Sequence, residues 1–254
     1  MNFLRSKNRS GGTKFILLVA AGALLLSLVV GFAPKAQAVE PIVMAAPVSL
    51  GTAAKHGYMA AQLAVEEVNK AGGVLLSGVR RPLKIVTTDI RDLETGIPLH
   101  DVVLAYQHLI SRKKPHVFVT GPTRSEATLA MMENLAEAKI VHIITASVSP
   151  SIQKTISQDY NKYKYFFKIS PNAVDLGMVF ASGINFLKDN FGLSKIFFLT
   201  EDVLSMRGLE GFMTAYCTKQ GWKVVGNAHT PLGTTDYSPS LIKARDSGAE
   251  VIFY

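Results

Sequence analysis

From residue 40 onward, short runs of β-branched and aromatic residues alternate with longer stretches in which apolar residues recur every three or four positions. The short runs read as buried strands and the longer stretches as amphipathic helices. Strands are predicted at 41–46, 83–88, 116–120, 140–145, 165–169, 195–200, 223–228 and 250–254. Helices are predicted at 53–71, 99–111, 126–138, 174–190, 207–220 and 239–246. Alternation on this scale builds βαβ units, and therefore parallel sheets covered on both faces. Local chemistry supports several boundaries: Ala71-Gly72-Gly73 ends the first helix with residues that accept a left-handed cap, and Ser238-Pro239 places an N-cap before a proline. Gly192 with Leu193-Ser194 closes the long helix ahead of the strand KIFFLT.

One stretch breaks the rhythm. The run ASVSPSIQKTISQDYNKYK, beginning at Ala146, has no clean period and carries Ser and Pro early. It predicts the passage from one lobe to another. The expected organisation is an export signal at 1–38, a first lobe at 39–160 and the start of a second at 161–254. The fold class is α/β, with two Rossmann-like lobes, parallel sheets and a hinged cleft between them. The closing GAEVIFY is a buried-strand pattern with no cap after it, so the sequence is expected to be a fragment whose second lobe is incomplete.

Charge changes the picture mainly at the start. Arg5, Lys7, Arg9 and Lys14 precede an apolar stretch from Phe15 to Phe32, and Ala36-Gln37-Ala38 forms an A-x-A site. This is the pattern of an export signal cleaved after Ala38, with a retained membrane anchor as the competing reading. Residues 1–38 hold five of the 27 basic residues and none of the 19 acidic ones, so the remainder carries a net charge of +3. No basic run with interleaved aromatics remains, so no nucleic-acid partner is expected. Cys217 is the only cysteine, which excludes an internal disulfide and leaves stability to the core. Phe212, Met213 and Tyr216 at helical spacing predict that it is buried.

The sequence contains no G-x-S-x-G elbow, Walker loop, H-E-x-x-H, C-x-x-C or G-x-G-x-x-G turn. The six histidines form no close pair at ligand spacing, so neither metal nor cofactor is expected. His142 is a conceivable base for Ser125, but it sits inside a strand with no acid placed to orient it. What remains is three strand-to-helix turns of small and hydroxyl residues: APVSLGTAA, TGPTRSEA and TASVSPSI. Ligands of open α/β sheets bind beyond the carboxyl ends of the strands, against helix N-termini. Each turn alone also reads as helix capping, with Ser125 as the cap and Glu126 facing the helix dipole. Three on one sheet edge point to a ligand crevice.

The segments LAVEEVNKAGGV, VFVTGPTRSEATLA, ASVSPSI and GTTDYSPSLIKARDSGAEVIFY resemble the type I periplasmic binding proteins of branched-chain amino-acid ABC importers, over residues 40–254. The resemblance implies a protein that captures a small polar solute between two lobes and delivers it to a membrane permease and its ATPase. The solute would be a branched-chain or other amino acid, or an amide or carboxylate analogue. A ligand-sensing outer domain of a receptor is the alternative. In the family, the Ser closing a G-P-x-x-S turn binds the α-carboxylate, which corresponds to Ser125. An A-x-T-x-P pair contacts carboxylate and ammonium; here Ala146 matches and Val148 stands in place of the hydroxyl residue. Of a Y-G-x-G pattern in the second lobe, Ser205-Met206-Arg207-Gly208 keeps the last glycine, and Ser205 takes the aromatic's place. The resemblance further implies a periplasmic monomer without enzymatic activity.

Overall fold

The computed structural model describes residues 39–254; the predicted export signal, its anchor alternative and the 36–38 cleavage site lie outside them. The described chain runs β1 (Ile42–Ala45), α1 (Lys55–Lys70), β2 (Val74–Leu76), β3 (Val79–Arg81), β4 (Leu83–Val86), α2 (Leu99–Lys113), β5 (Val117–Phe118), α3 (Ser125–Ala138) and β6 (Val141–Ile144). It continues with α4 (Pro150–Gln158), α5 (Tyr160–Tyr163), β7 (Phe166–Lys168), α6 (Ala173–Phe191), β8 (Lys195–Glu201), α7 (Leu204–Lys219), β9 (Lys223–Thr230), α8 (Ser238–Asp246) and β10 (Val251–Phe253).

Five strands form a first sheet in the order β4-β1-β5-β6-β7, every pair parallel. From β1 the chain moves outward to β4 on one side and then returns to β5 on the other. The strand order therefore reverses between β1 and β5, which is where open α/β sheets form their ligand crevice. Tyr106 and Leu109 of α2, Met131 and Leu135 of α3 and Ile152 of α4 pack with Phe118 and Ile144 of the sheet. Burial of each such side chain contributes about 1.5–3 kcal/mol.

A second parallel sheet has the order β10-β8-β9. Alternation along β8 sends Ile196 and Phe198 into one core with Met213, Cys217 and Trp222, while Phe197 and Leu199 pack with Ala244 of α8 on the other face. Both faces are covered, as continuous apolar strands require. Cys217 is buried in that core as predicted, and burial pushes its thiol up to about 11.

The predicted strands and helices all form, with no end shifted by more than three residues. Three features differ. The hairpin β2–β3 was not predicted; Ser77 and Gly78 turn it with φ of 50° and 81°, the doubly left-handed geometry that suits the twist of a two-residue hairpin. The aperiodic stretch after Ala146 contains α4 and α5. Ser149 caps α4 by accepting the Ser151 N–H at 3.2 Å, with Pro150 as the first helical residue. The third difference is a correction. Residues 165–169 were expected to open the second lobe, but β7 pairs with β6 and extends the first sheet to Lys168. The chain leaves that sheet only after β7, and α6 begins at Ala173 with a capping box between Asn172 and Asp175.

Candidate functional site

The loops leaving β1, β4 and β5 meet on one buried carboxylate. Asp92, 1% exposed, accepts the Ser49 hydroxyl at 2.6 Å through one oxygen. Its other oxygen accepts the N–H groups of Thr123 and Arg124 at 2.7 and 2.9 Å. Hydrogen bonds to an ionised acceptor are the stronger kind. Asp92 thus fixes the Gly-Pro turn that precedes α3. Sequence reasoning missed it, because only the sheet order places the segment after β4 beneath the turn after β5.

Gly121 in that turn is required by contact. A Cβ there would strike the His142 Nε2 at 2.5 Å and approach the Tyr106 hydroxyl at 3.2 Å. His142 is fully buried on β6, with Phe118 and Phe166 ring centroids at 5.9 and 5.7 Å. Neither of its ring nitrogens makes a well-formed hydrogen bond, and burial, offset in part by the nearby Thr120 backbone, holds the imidazole down at about 4. Ser125 does not bond to it. The Ser125 hydroxyl pairs with the Ser149 N–H instead.

Ser125 is wholly buried at the first residue of α3, and Arg124 precedes it as the N-cap without a side-chain bond. The expected capping role is thus corrected: the Ser125 hydroxyl accepts the Ser149 N–H at 3.1 Å, tying the turn after β5 to the turn after β6. Ser147 strengthens the same tie. Its buried hydroxyl donates to the Pro122 carbonyl at 2.7 Å and bonds the Thr128 hydroxyl. Ala146 and Val148, on either side of Ser147 in the chain, are half-buried. The Val148 carbonyl accepts the Ala173 N–H at 2.8 Å, so the backbone of this residue anchors the start of α6. Ser125, Ala146 and Val148 are brought together at the carboxyl edge of the first sheet.

Across from them lies the start of α7. Ser205 is buried in its first turn. The neighbouring Leu204 N–H donates to Glu126 Oε1 at 2.8 Å, so the carboxylate next to Ser125 faces this helix. A second bridge between the sheets joins the Thr95 hydroxyl to the Leu232 carbonyl at 2.8 Å. Two buried polar atoms flanking Ser125, Arg124 Nε and Glu126 Oε2, have no hydrogen-bond partner. A separate cavity of about 480 Å³ is lined by Arg207, Glu210, Asn227 and His229. There Glu210 accepts Thr200, Asn227 and His229; burial raises its carboxyl, but these bonds outweigh that and hold it below the usual range.

The chain matches the family described as periplasmic binding protein over residues 44–254. Among curated proteins none matches. It is similar to the solute binding protein of an ABC transporter from R. palustris in complex with 4-hydroxybenzoate, with 18% identity, a TM-score of 0.67 and coverage of 85% of this chain and 54% of that one. It is likewise similar to the branched-chain amino acid transporter substrate binding protein LivJ from Streptococcus pneumoniae in complex with isoleucine, at 19% identity and a TM-score of 0.65, covering 84% and 56%. The leucine binding protein LivK from Thermotoga maritima is a third, at 18% identity and a TM-score of 0.63, covering 83% and 55%. The chain spans about half the length of these structures.

Proposed function

Since the chain belongs to the periplasmic binding protein family, we propose that it is the extracytoplasmic solute-binding component of an ABC importer, capturing a small carboxylate-bearing ligand between its sheets and presenting it to a membrane permease and ATPase. The observation that carries this reading is the construction of the first-sheet edge. Four loops at the carboxyl edge of the first sheet, those after β1, β4, β5 and β6, are lashed together by Asp92, Ser125 and Ser147, and Glu126 links the N-terminus of α3 to that of α7. Helix N-termini favour anions through free N–H groups and the helix dipole. The compared structures hold 4-hydroxybenzoate and isoleucine, which share a carboxylate. Ser125, Ala146, Val148 and Ser205 are proposed as the ligand-contacting positions. The protein acts as a monomer without catalysis, in the periplasm after cleavage behind Ala38.

The test is thermal unfolding of the purified protein against a panel of amino acids, amides and aromatic carboxylates. A concentration-dependent rise in melting temperature with a carboxylate is expected. Ser125→Ala is expected to weaken that binding by about 1–3 kcal/mol through loss of a hydroxyl beside a charged ligand. A panel without any shift would sink the proposal.

A further inference from the structure

Capture of a carboxylate, on which this inference rests, leaves the far end of the ligand to be matched. The side chains flanking Ser125 address that end. Glu126 reaches out of α3 to the N-terminus of α7, where its Oε1 is held by the Leu204 N–H at 2.8 Å. Its Oε2 is buried and without a partner. A buried carboxylate oxygen lacking a donor carries a desolvation cost that a donor from a ligand removes. Arg124, before Ser125, buries an unpartnered Nε and supplies a cation in the same turn. Val148 in the adjoining turn brings a side chain with no acceptor.

We infer that Glu126 determines ligand specificity: its free oxygen accepts a hydrogen bond from a hydroxyl or ammonium group at the end of the ligand remote from the carboxylate, and its charge rejects a second carboxylate there. The bond to Leu204 holds the glutamate in place before ligand arrives, which lowers the ordering cost of recognition. It also occupies the Leu204 N–H, so that a ligand anion cannot take it. Like charges brought together away from water repel strongly, and rejection of the wrong ligand is as much a part of specificity as attraction of the right one.

Isothermal titration calorimetry with two matched pairs of probes tests this: 4-hydroxybenzoate against benzoate, and 5-aminopentanoate against pentanoate, with terephthalate as the dicarboxylate. The unmodified protein is expected to bind the donor-bearing member of one pair at least tenfold more tightly than its counterpart, and terephthalate most weakly. Glu126→Ala is expected to bring the ratio of that pair below threefold. Glu126→Gln keeps an oxygen for the Leu204 N–H and turns an amide N–H toward the ligand, and is expected to strengthen terephthalate binding at least tenfold. A ratio that persists in both variants, with binding intact, overturns the role of Glu126 and leaves the carboxylate-capture reading standing. Absence of binding of every probe to the unmodified protein overturns both.

Discussion

Asp92 concentrates three hydrogen bonds on a carboxylate that is almost entirely removed from water. Its truncation would leave the N–H groups of Thr123 and Arg124 without their acceptor. Asp92→Ala is therefore expected to destabilise the protein by about 2–5 kcal/mol, and Ser49→Ala, which removes the bond to Asp92 and the acceptor of the Leu93 N–H, by about 1–2 kcal/mol, both read from denaturant unfolding. His142 makes a prediction in pH. Its imidazole is neutral in the fold and titrates at about 4, whereas the unfolded chain protonates near 6.5. The unfolded state then binds more protons, so this contribution to stability is complete above 6.5 and is lost as pH falls toward 4, by about 1.4 kcal/mol per unit at most. The stability of His142→Leu relative to the unmodified protein is expected to rise as pH falls from 7 to 4; a difference that stays constant would contradict the assignment. Individual residues were the least legible level. Ser125 stood out in the sequence as a cap or ligand contact, yet its hydroxyl serves another turn, because the neighbour that uses it lies 24 residues away and only the parallel pairing of β5 with β6 brings it near.

At the scale of elements, the hydrophobic period was a faithful guide wherever a segment buries one face. It failed at α4, whose start, Ser149-Pro150, uses the same grammar as the Ser238-Pro239 that was read as a helix start. The lone buried position of α4, Ile152, leaves too weak a stripe to see. The hairpin β2–β3 was invisible for a related reason: its strands are three residues each and largely exposed, so no alternation marks them. Packing between elements gives a sharp expectation at Gly177 of α6, which lies against the ring of Phe212 of α7. A Cβ there would overlap ring carbons of Phe212. Gly177→Ala should gain helix propensity but lose more to overpacking, a net loss of up to about 2 kcal/mol in thermal unfolding. A stabilised variant would mean that the two helices part easily.

For the molecule as a whole, the two sheets meet through few polar bridges, Glu126 to Leu204 and Thr95 to Leu232 among them. A ligand that binds the folded state alone at a hundred times its dissociation constant adds about 2.7 kcal/mol to stability, which sets the size of the melting shift that the proposed solute binding predicts. The alternation of apolar periods determined the class of this protein: strands that are apolar throughout must be buried on both faces, which demands intervening helices and parallel pairing. The sequence also marked the three turns, since Gly, Pro, Ser and Thr report their own backbone preferences locally. Sheet order, the place where the chain leaves the first sheet, and the partners of Asp92, Ser125 and Glu126 were decided only by tertiary structure. Each depends on which strand lies beside which, and hydrogen bonds between residues far apart in the chain leave no period in the sequence.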